Sequence, residues 1–318
     1  MKKFFTILLC MVLLAPPLAL SASATDGAFA PGEKPWFIMP WWLKIQYAVK
    51  SWMQMGFRED SMLILHEGRL VYEQYADGHG ENVPHMAMSV TKSVVAALVG
   101  IAIEEGLIGS VHDKVHEYYP GASIAGQDSK KDMTIEHLLT MRSGLPDSQG
   151  CFRAADAGLA AFETPQAKKP GGLFSFTYNS GAGPQCLIGI VERVTGMNLK
   201  DYADLMLFGP LGITNYTWET TDSGSPIGGF GLHMTSRDML RFGQLYLNDG
   251  VWNGQRILPE GWAAGTQPAF NTIVSYGLLF WGNGWGPLMG GSYEARGFHG
   301  QFITVYPEKG VVVVRTGS

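Results

Sequence analysis

Ser89 and Lys92 stand three residues apart in the stretch Ser-Val-Thr-Lys. Side chains three apart share one face of a helix, so a helix that begins at Ser89 places the lysine amine beside the serine hydroxyl. The positive end of that helix stabilises negative charge on the serine oxygen. Apolar surroundings lower the pKa of the lysine and make a neutral amine base available. The pair therefore predicts a serine nucleophile with a lysine base.

The Ser-x-x-Lys spacing is weak evidence on its own, because a chain of this length contains about one such pair by chance. The alternative is a capped surface helix with a solvated lysine. Lys92 is, however, the only basic residue between Val90 and Ile103, and the helix is otherwise apolar around most of its circumference. A buried lysine needs a reason, which favours the catalytic interpretation.

The pattern of apolar residues predicts the elements that position this pair. Strands are predicted at 61–75 (a hairpin), 276–280, 302–306 and 311–315, and helices at 44–55, 89–105, 134–141, 186–194 and 236–247. Strands thus occupy both ends of the chain and helices the middle. We expect a discontinuous α/β sheet domain formed by 25–110 and 270–318, and a mainly helical domain formed by 111–269.

Residues 1–24 have the pattern of a secretory signal peptide. Two lysines precede a short apolar run, and Ala22-Ser23-Ala24 is a small-residue cleavage site. A membrane anchor is the alternative, but the run is interrupted by prolines and falls short of the ~20 residues that span a bilayer. We expect cleavage after Ala24, a periplasmic or secreted protein, and no stable membrane span.

Composition narrows the class of protein further. The 318-residue chain is 46% hydrophobic and 16% charged, with a net charge of −5, which suits a compact enzyme and gives no basic patch for nucleic acid. Cys151 and Cys186 would remain after cleavage, and the sequence leaves open whether they pair. The oligomeric state is also left open.

Four segments in order resemble the β-lactamase-related serine hydrolases. Residues 85–106 resemble the nucleophile helix of that superfamily, and 134–145, 229–239 and 297–301 resemble its later motifs. The superfamily includes class C β-lactamases, D-alanyl-D-alanine peptidases, family VIII esterases and 6-aminohexanoate-dimer hydrolases. The resemblance covers nearly all of the chain from about Ser61 onward. It implies a β-lactamase/transpeptidase-like α/β fold: an antiparallel sheet flanked by helices, with a helical insertion domain.

The resemblance also implies a Tyr-x-Asn or Tyr-x-Ser element, which Tyr178-Asn179-Ser180 fits. Tyr178 would then be the catalytic phenol that relays a proton, and Ser180 would contact substrate. A neighbouring lysine is expected to lower the pKa of the phenol. The alternative is an ordinary buried aromatic residue. Serine in place of asparagine favours the branch that hydrolyses amides and esters.

The third element of the family, a Lys-Thr-Gly or His-x-Gly motif on a strand edge, corresponds to Phe298, His299 and Gly300. These three residues would bind substrate. The backbone N–H groups of Ser89 and Gln301 would form the oxyanion hole. Phe298 departs from the family pattern, because the usual cation for a substrate carboxylate is missing. This departure weakens an assignment to β-lactam or peptidoglycan turnover.

These features predict a serine hydrolase that cleaves a small-molecule ester or short amide through a covalent acyl-enzyme, without a cofactor. The alternatives are a class C-type β-lactamase or D-alanyl-D-alanine carboxypeptidase and, less favoured, a non-catalytic peptidoglycan-binding protein. His112 and His116 are four apart, but their stretch is loop-like, so no metal site is expected. Relatives usually carry a helix after the last strand. Because the sequence ends at Ser318, we expect an uncovered, apolar sheet face.

Overall fold

The computed structural model describes residues 30–31, 58–172, 174–266, 274–282 and 291–318. The predicted signal peptide at 1–24 and the predicted helix at 44–55 lie outside the described residues. None of the helices in these ranges is both long and apolar enough to cross a bilayer.

An eight-stranded sheet dominates the described part of the chain. Its strands are β1 (Ala30–Pro31), β2 (Glu59–His66), β3 (Arg69–Tyr75), β9 (Tyr276–Gly277), β10 (Phe280–Gly282), β11 (Tyr293–Gly297), β12 (Gln301–Tyr306) and β13 (Val311–Gly317). They lie side by side in the order β1-β3-β2-β13-β12-β11-β10-β9. All neighbouring pairs are antiparallel except β1 with β3. The expected antiparallel sheet is therefore confirmed.

Two small sheets complete the strands. One has the order β4-β6-β5 and contains β4 (His85–Met86), β5 (Tyr216–Trp218) and β6 (Leu232–Met234). The other pairs β7 (Val251–Trp252) with β8 (Gln255–Arg256). The first matters for function, because β4 leads directly into the predicted nucleophile.

Along the chain, the helices lie between strands β1–β3 and strands β9–β13 of the main sheet, as predicted. They are α1 (Val90–Glu104), α2 (Ile135–Leu139), α3 (Ala157–Glu163), α4 (Ala182–Thr195), α5 (Leu199–Ala203), α6 (Gly209–Leu211), α7 (Ser236–Leu247) and α8 (Trp262–Gly265). A π-helical turn, Asp204–Phe208, joins α5 to α6. Helix α1 is buried along Val90 to Ala102 and packs against α4, β11 and β12. A helix with apolar residues around its circumference is expected to be buried in this way.

Each face of the main sheet is apolar. On one face Leu63, Leu65, Val312 and Val314 join the main core, and α7 packs there on β2, β12 and β13. Helix α7 therefore belongs with the sheet, although it falls inside the range 111–269 predicted as the helical domain. Its close approach requires Gly243, since a Cβ there would lie 2.5 Å from Val312 Cγ1.

The opposite face contains the alternate residues of the same strands. Met62, Ile64, Tyr306 and Val311 form a second hydrophobic cluster, and Met62 and Ile64 are only 2% and 1% exposed. The expectation of an uncovered apolar face is thus wrong for these residues.

Helix ends follow local chemistry. Thr134 caps α2 with a capping box that includes His137, and Thr235 caps α7 by accepting from the Asp238 N–H. Gly196, in the left-handed region, ends α4. Helix α4 begins at Ala182, four residues before the predicted start. The proline in its first turn does not interrupt it, because the N–H groups of a first turn have no partner within the helix.

Candidate active site

The turn before α1 presents Ser89 to the site. Ser89 is the N-cap residue of α1, but its side chain makes no capping hydrogen bond, so the hydroxyl is left for other partners. The preceding residue, Met88, has a φ of 50°, a left-handed conformation that is uncommon for a side chain of this size. Such backbone strain is often found at functional sites.

Lys92 lies one turn further along α1 and is fully buried. Its Nζ donates to Ser89 Oγ at 2.8 Å, to Ser180 Oγ at 3.0 Å and to the carbonyl oxygen of Gly229 at 2.7 Å. The three acceptors come from three separate segments of the chain. The structure thus brings Ser89 and Lys92 together with Ser180, which was predicted to contact substrate, and adds the Gly229 carbonyl, which the sequence analysis did not assign to the site.

Burial lowers the pKa of Lys92 from 10.5 to about 7. The cause is desolvation, which disfavours the charged ammonium. The carboxylate of Asp147 acts in the opposite sense and raises this pKa. A substantial fraction of Lys92 is therefore a neutral amine near neutral pH.

Tyr178 is next to both groups. Interactions with the side chains of Ser89 and Trp281 lower the pKa of its hydroxyl, and the Lys92 Nζ lies 4.8 Å from its ring centroid. Contrary to the expectation of a lowered pKa, the pKa of Tyr178 is raised overall, because desolvation outweighs these interactions. The phenol is therefore protonated at neutral pH.

An aromatic cluster forms one wall of the site. The ring of Trp281 lies 5.3 Å from that of Tyr178 and 4.9 Å from that of Tyr276, and Phe176 packs edge-on against Tyr276. The guanidinium of Arg296 lies 5.4 Å from the Trp281 ring and donates to Glu294.

Asp147 is the principal residue that the sequence analysis missed. Its Oδ1 accepts from the Ser180 backbone N–H at 2.9 Å, which fixes the loop that carries Tyr178 and Ser180. The sequence gives one indication of its importance: it is the only acidic residue between Glu136 and Asp156. It lies in a loop, where no periodic pattern predicts which way a side chain points.

The third predicted element differs from expectation. Phe298, His299 and Gly300 do not lie on a strand edge but form a turn that connects β11 to β12, with His299 in the left-handed region at a φ of 59°. This turn joins the two antiparallel strands at the point where Gly297 lies opposite Gln301. Phe298 is 66% exposed.

The end of β11 nevertheless lies beside the nucleophile. A Cβ on Gly297 would lie 2.6 Å from the Ala87 carbonyl oxygen and 3.0 Å from Met88 Cβ. The side chain of Gln301 is fixed by two hydrogen bonds to Gly317, from Nε2 to the carbonyl at 2.6 Å and from the Gly317 N–H to Oε1 at 3.2 Å. The start of β12 is thereby held in place near Ser89.

The cysteine question is settled for the described residues: Cys151 and Cys186 are both buried and both free. Burial raises the pKa of Cys151 to about 11 and that of Cys186 to about 12. Neither thiol has the lowered pKa of a nucleophile.

The sequence is similar to known proteins. Residues 46–316 match the sequence profile of the family described as Beta-lactamase. The chain is 27% identical over 289 residues to the 6-aminohexanoate-dimer hydrolase of Paenarthrobacter ureafaciens, an alignment that covers 81% of this chain and 72% of that protein.

Solved structures share the fold. EstCE1, a hydrolase with promiscuous acyltransferase activity, superposes with a TM-score of 0.68 at 17% identity and covers 87% of this chain and 93% of its own. The class C β-lactamase of Rhodobacter sphaeroides superposes with a TM-score of 0.65 at 16% identity, over 87% of this chain and 93% of its own. At these identities the likeness concerns the fold.

Proposed function

Because the chain belongs to the beta-lactamase family, whose members are serine hydrolases, we propose that it hydrolyses a small ester or short amide through an acyl group on Ser89. One observation carries the proposal: a fully buried Lys92 with a pKa of about 7 donates to Ser89 Oγ at 2.8 Å. A base whose pKa lies near the working pH is the most effective one.

The contacts of Lys92 assign its protons. An ammonium has three N–H groups for its three partners, whereas a neutral amine has two N–H groups and one lone pair. The Gly229 carbonyl can only accept a hydrogen bond, so one N–H of the neutral amine stays bonded to it. With Ser180 Oγ accepting the other, the lone pair is directed at Ser89, whose hydroxyl then donates to it.

Acylation follows from this arrangement. The Ser89 oxygen attacks the substrate carbonyl carbon while its proton passes to Lys92, and the C–O or C–N bond to the leaving group then breaks. Tyr178 gives its phenolic proton to the leaving oxygen or nitrogen, and the Lys92 ammonium restores that proton to the phenolate. The raised pKa of Tyr178 supports the role of a proton donor, because the phenol is protonated when the leaving group departs.

Deacylation uses the same groups in reverse. Water gives a proton to the Tyr178–Lys92 pair as its oxygen attacks the acyl carbon, and Ser89 recovers its proton when the acid leaves. We assign the oxyanion hole to the backbone N–H groups of Ser89 and Gln301. The position of Ser89 at the start of α1 and the fixed start of β12 support this assignment.

The walls of the site favour an uncharged substrate. Tyr178, Trp281 and Tyr276 line it with aromatic surface, and the nearby Arg296 is engaged with Glu294. Phe298, His299 and Gly300 would contact the substrate from the β11–β12 turn, where Phe298 presents an apolar ring.

The similarity to a 6-aminohexanoate-dimer hydrolase supports a short linear amide as the substrate. The family membership keeps a β-lactamase or D-alanyl-D-alanine carboxypeptidase as the second candidate. The pattern of 1–24 supports an exported protein.

An active-site phosphonate probe tests the nucleophile. Intact-mass analysis should show one phosphonyl group on the wild-type protein and none on Ser89→Ala, with Ser93→Ala as a matched control on the same helix that still reacts. Labelling that persists in Ser89→Ala would exclude Ser89. A panel of p-nitrophenyl esters, linear amide dimers and a chromogenic cephalosporin then separates the substrate classes. Turnover of the cephalosporin alone would overturn the preference for esters and amides.

A further inference from the structure

A second group of polar side chains lies outside the catalytic centre. Asp60 of β2, His79 of the β3–β4 connection and His85 of β4 place their potential ligand atoms within 4.8 Å of one another. His79 Nε2 lies 3.3 Å from Asp60 Oδ1, and His85 Nε2 lies 3.7 Å from Asp60 Oδ2. Three separate positions in the sequence thus converge on one small volume.

Asp60 is the unusual member of this group. Its side chain is fully buried, and its Oδ2 has no hydrogen-bond partner among the residues that the structure describes. Its Oδ1 accepts from the Ser318 hydroxyl at 3.1 Å and lies 3.3 Å from Arg58 Nε. A buried carboxylate oxygen without a partner is costly and requires an explanation. A positively charged ligand that occupies the space in front of Oδ2 would remove that cost.

The spacing of the three side chains fits a metal ion. Zn–N and Zn–O bonds are about 2.0–2.2 Å long, so two ligands of a tetrahedral zinc are about 3.3–3.6 Å apart. His79 Nε2 lies at such a distance, 3.3 Å, from Asp60 Oδ1, and His85 Nε2 lies 3.7 Å from the other carboxylate oxygen, so a small side-chain movement would bring one oxygen and both imidazoles to a single ion. Two imidazoles and one carboxylate are ligands that Zn²⁺ accepts, with the fourth position left for water.

We infer that Asp60, His79 and His85 bind a divalent transition-metal ion, with Zn²⁺ the best fit. The side chains of His79 and His85 are 24% and 15% exposed, which gives the ion a path from solvent. Arg58 also lies beside the carboxylate, but its side chain is 56% exposed and it donates to the Asp77 carbonyl as well. The inferred site differs from the sequence-based expectation of no metal, which considered only His112 and His116.

The position of the site indicates what the ion does. His85 lies four residues before Ser89, in the strand that leads to the strained Met88. His85 Nε2 is also 3.0 Å from the Gly317 carbonyl, the same oxygen that accepts from Gln301 Nε2. If His85 turns to the metal, Gly317 keeps its bond with Gln301. The ion would therefore hold β4, the strand that leads to Ser89, against β2 without touching the substrate.

Titration calorimetry with Zn²⁺ alone tests the inference on the full chain, purified without a histidine tag and treated with chelator. We expect one ion per chain for the wild-type protein and an affinity at least about tenfold lower for His79→Gln, since even outer-shell changes cost 10–100-fold. The control is His112→Gln, an exposed histidine paired with Glu136. Co²⁺ should give the visible absorption bands of a tetrahedral site in the wild-type protein and lose them in His79→Gln.

Two results would overturn the inference. One is a wild-type chain that binds no Zn²⁺. The other is binding that His79→Gln leaves unchanged, which would place the ion elsewhere and leave Asp60 as part of a metal-free network with Arg58 and the histidines. His79 is chosen because it is partly exposed, so its variant is expected to fold. These measurements do not use turnover, and their outcome is independent of the proposed hydrolase activity.

Discussion

The buried Nζ of Lys92 donates to the backbone carbonyl of Gly229 across 2.7 Å, the shortest of its three hydrogen bonds. A backbone carbonyl cannot rotate away or donate in return, so this bond holds the lysine in both of its protonation states. The amine can therefore gain and lose a proton without leaving Ser89.

Removal of the amine should abolish most of the activity. Lys92→Met retains the apolar stem of the side chain, and we expect kcat to fall about 10²–10⁴-fold, the usual contribution of an acid–base partner. Ester hydrolysis with excess substrate measures this. The matched control is Lys131→Met, which removes an exposed lysine that pairs with Asp128. A rate close to wild type for Lys92→Met would exclude the lysine as the base.

The pH dependence of kcat/KM should have its acid limb near pH 7. Below its pKa of about 7 Lys92 is an ammonium and cannot accept the Ser89 proton; above it the amine is neutral, so activity rises as the pH rises. Because the pKa of Tyr178 is raised above 10, that phenol should cause no fall in activity on the alkaline side below about pH 10. An acid limb near the ordinary pKa of a carboxyl group would contradict this assignment.

Asp147→Asn should move the acid limb to lower pH. The carboxylate of Asp147 raises the pKa of Lys92, so its neutralisation removes an attraction for the ammonium and the pKa falls further. The amide oxygen can still accept from the Ser180 N–H, which preserves the loop. A pH–rate profile beside that of the surface control Asp128→Asn measures the shift. Movement toward higher pH would show that Asp147 does not act through charge.

Tyr178→Phe should separate the hydroxyl from the ring. The aromatic contacts with Trp281 and Tyr276 remain, whereas the hydroxyl and its interaction with Ser89 are lost. We expect kcat to fall about 10²–10⁴-fold with little change in the melting temperature. The fall should be larger for amides than for activated esters, because amides need a protonated leaving group. Equal losses for both substrates would contradict the role of proton donor.

Gly243→Ala should destabilise the protein although alanine favours helices. The new Cβ would meet Val312 Cγ1 at 2.5 Å and Ile303 Cγ2 at 2.8 Å, and both side chains are β-branched, buried and stiff. Overpacking of this kind costs about 1–3 kcal/mol of unfolding free energy, which urea denaturation measures. Gly80→Ala is the control, since its nearest neighbour is Val83 Cγ2 at 4.0 Å. Equal stability of the two variants would mean that α7 can move off the sheet.

Much of the fold could be predicted from the sequence where a periodic pattern was strong. Helix α7 has the predicted bounds 236–247, and α1 begins at Val90, directly after Ser89. Strand β11 was missed because its five residues include Glu294 and Arg296, whose charges hide a strand pattern. Helix α3 was missed because its small residues give no clear apolar stripe.

The candidate site was predictable only where residues are close along the chain or match a motif. The three-residue spacing of Ser89 and Lys92 placed them together, and the resemblance supplied Tyr178. The Gly229 carbonyl leaves no mark in a sequence, since every residue has one. The direction of the pKa of Tyr178 was predicted wrongly because desolvation depends on three-dimensional burial. Asp60 and the histidines of the second cluster belong to separate elements, so only the folded chain reveals their proximity.

The aromatic wall contains a tryptophan whose fluorescence can report on the reaction. The Trp281 ring lies 5.3 Å from the Tyr178 ring and under the Arg296 guanidinium, so its surroundings change whenever the phenol gives up its proton or a ligand displaces water. The fluorescence difference between the wild-type chain and Trp281→Phe therefore isolates one emitter among the nine tryptophans. Stopped-flow recording of that difference can follow acylation in real time with unlabelled substrates.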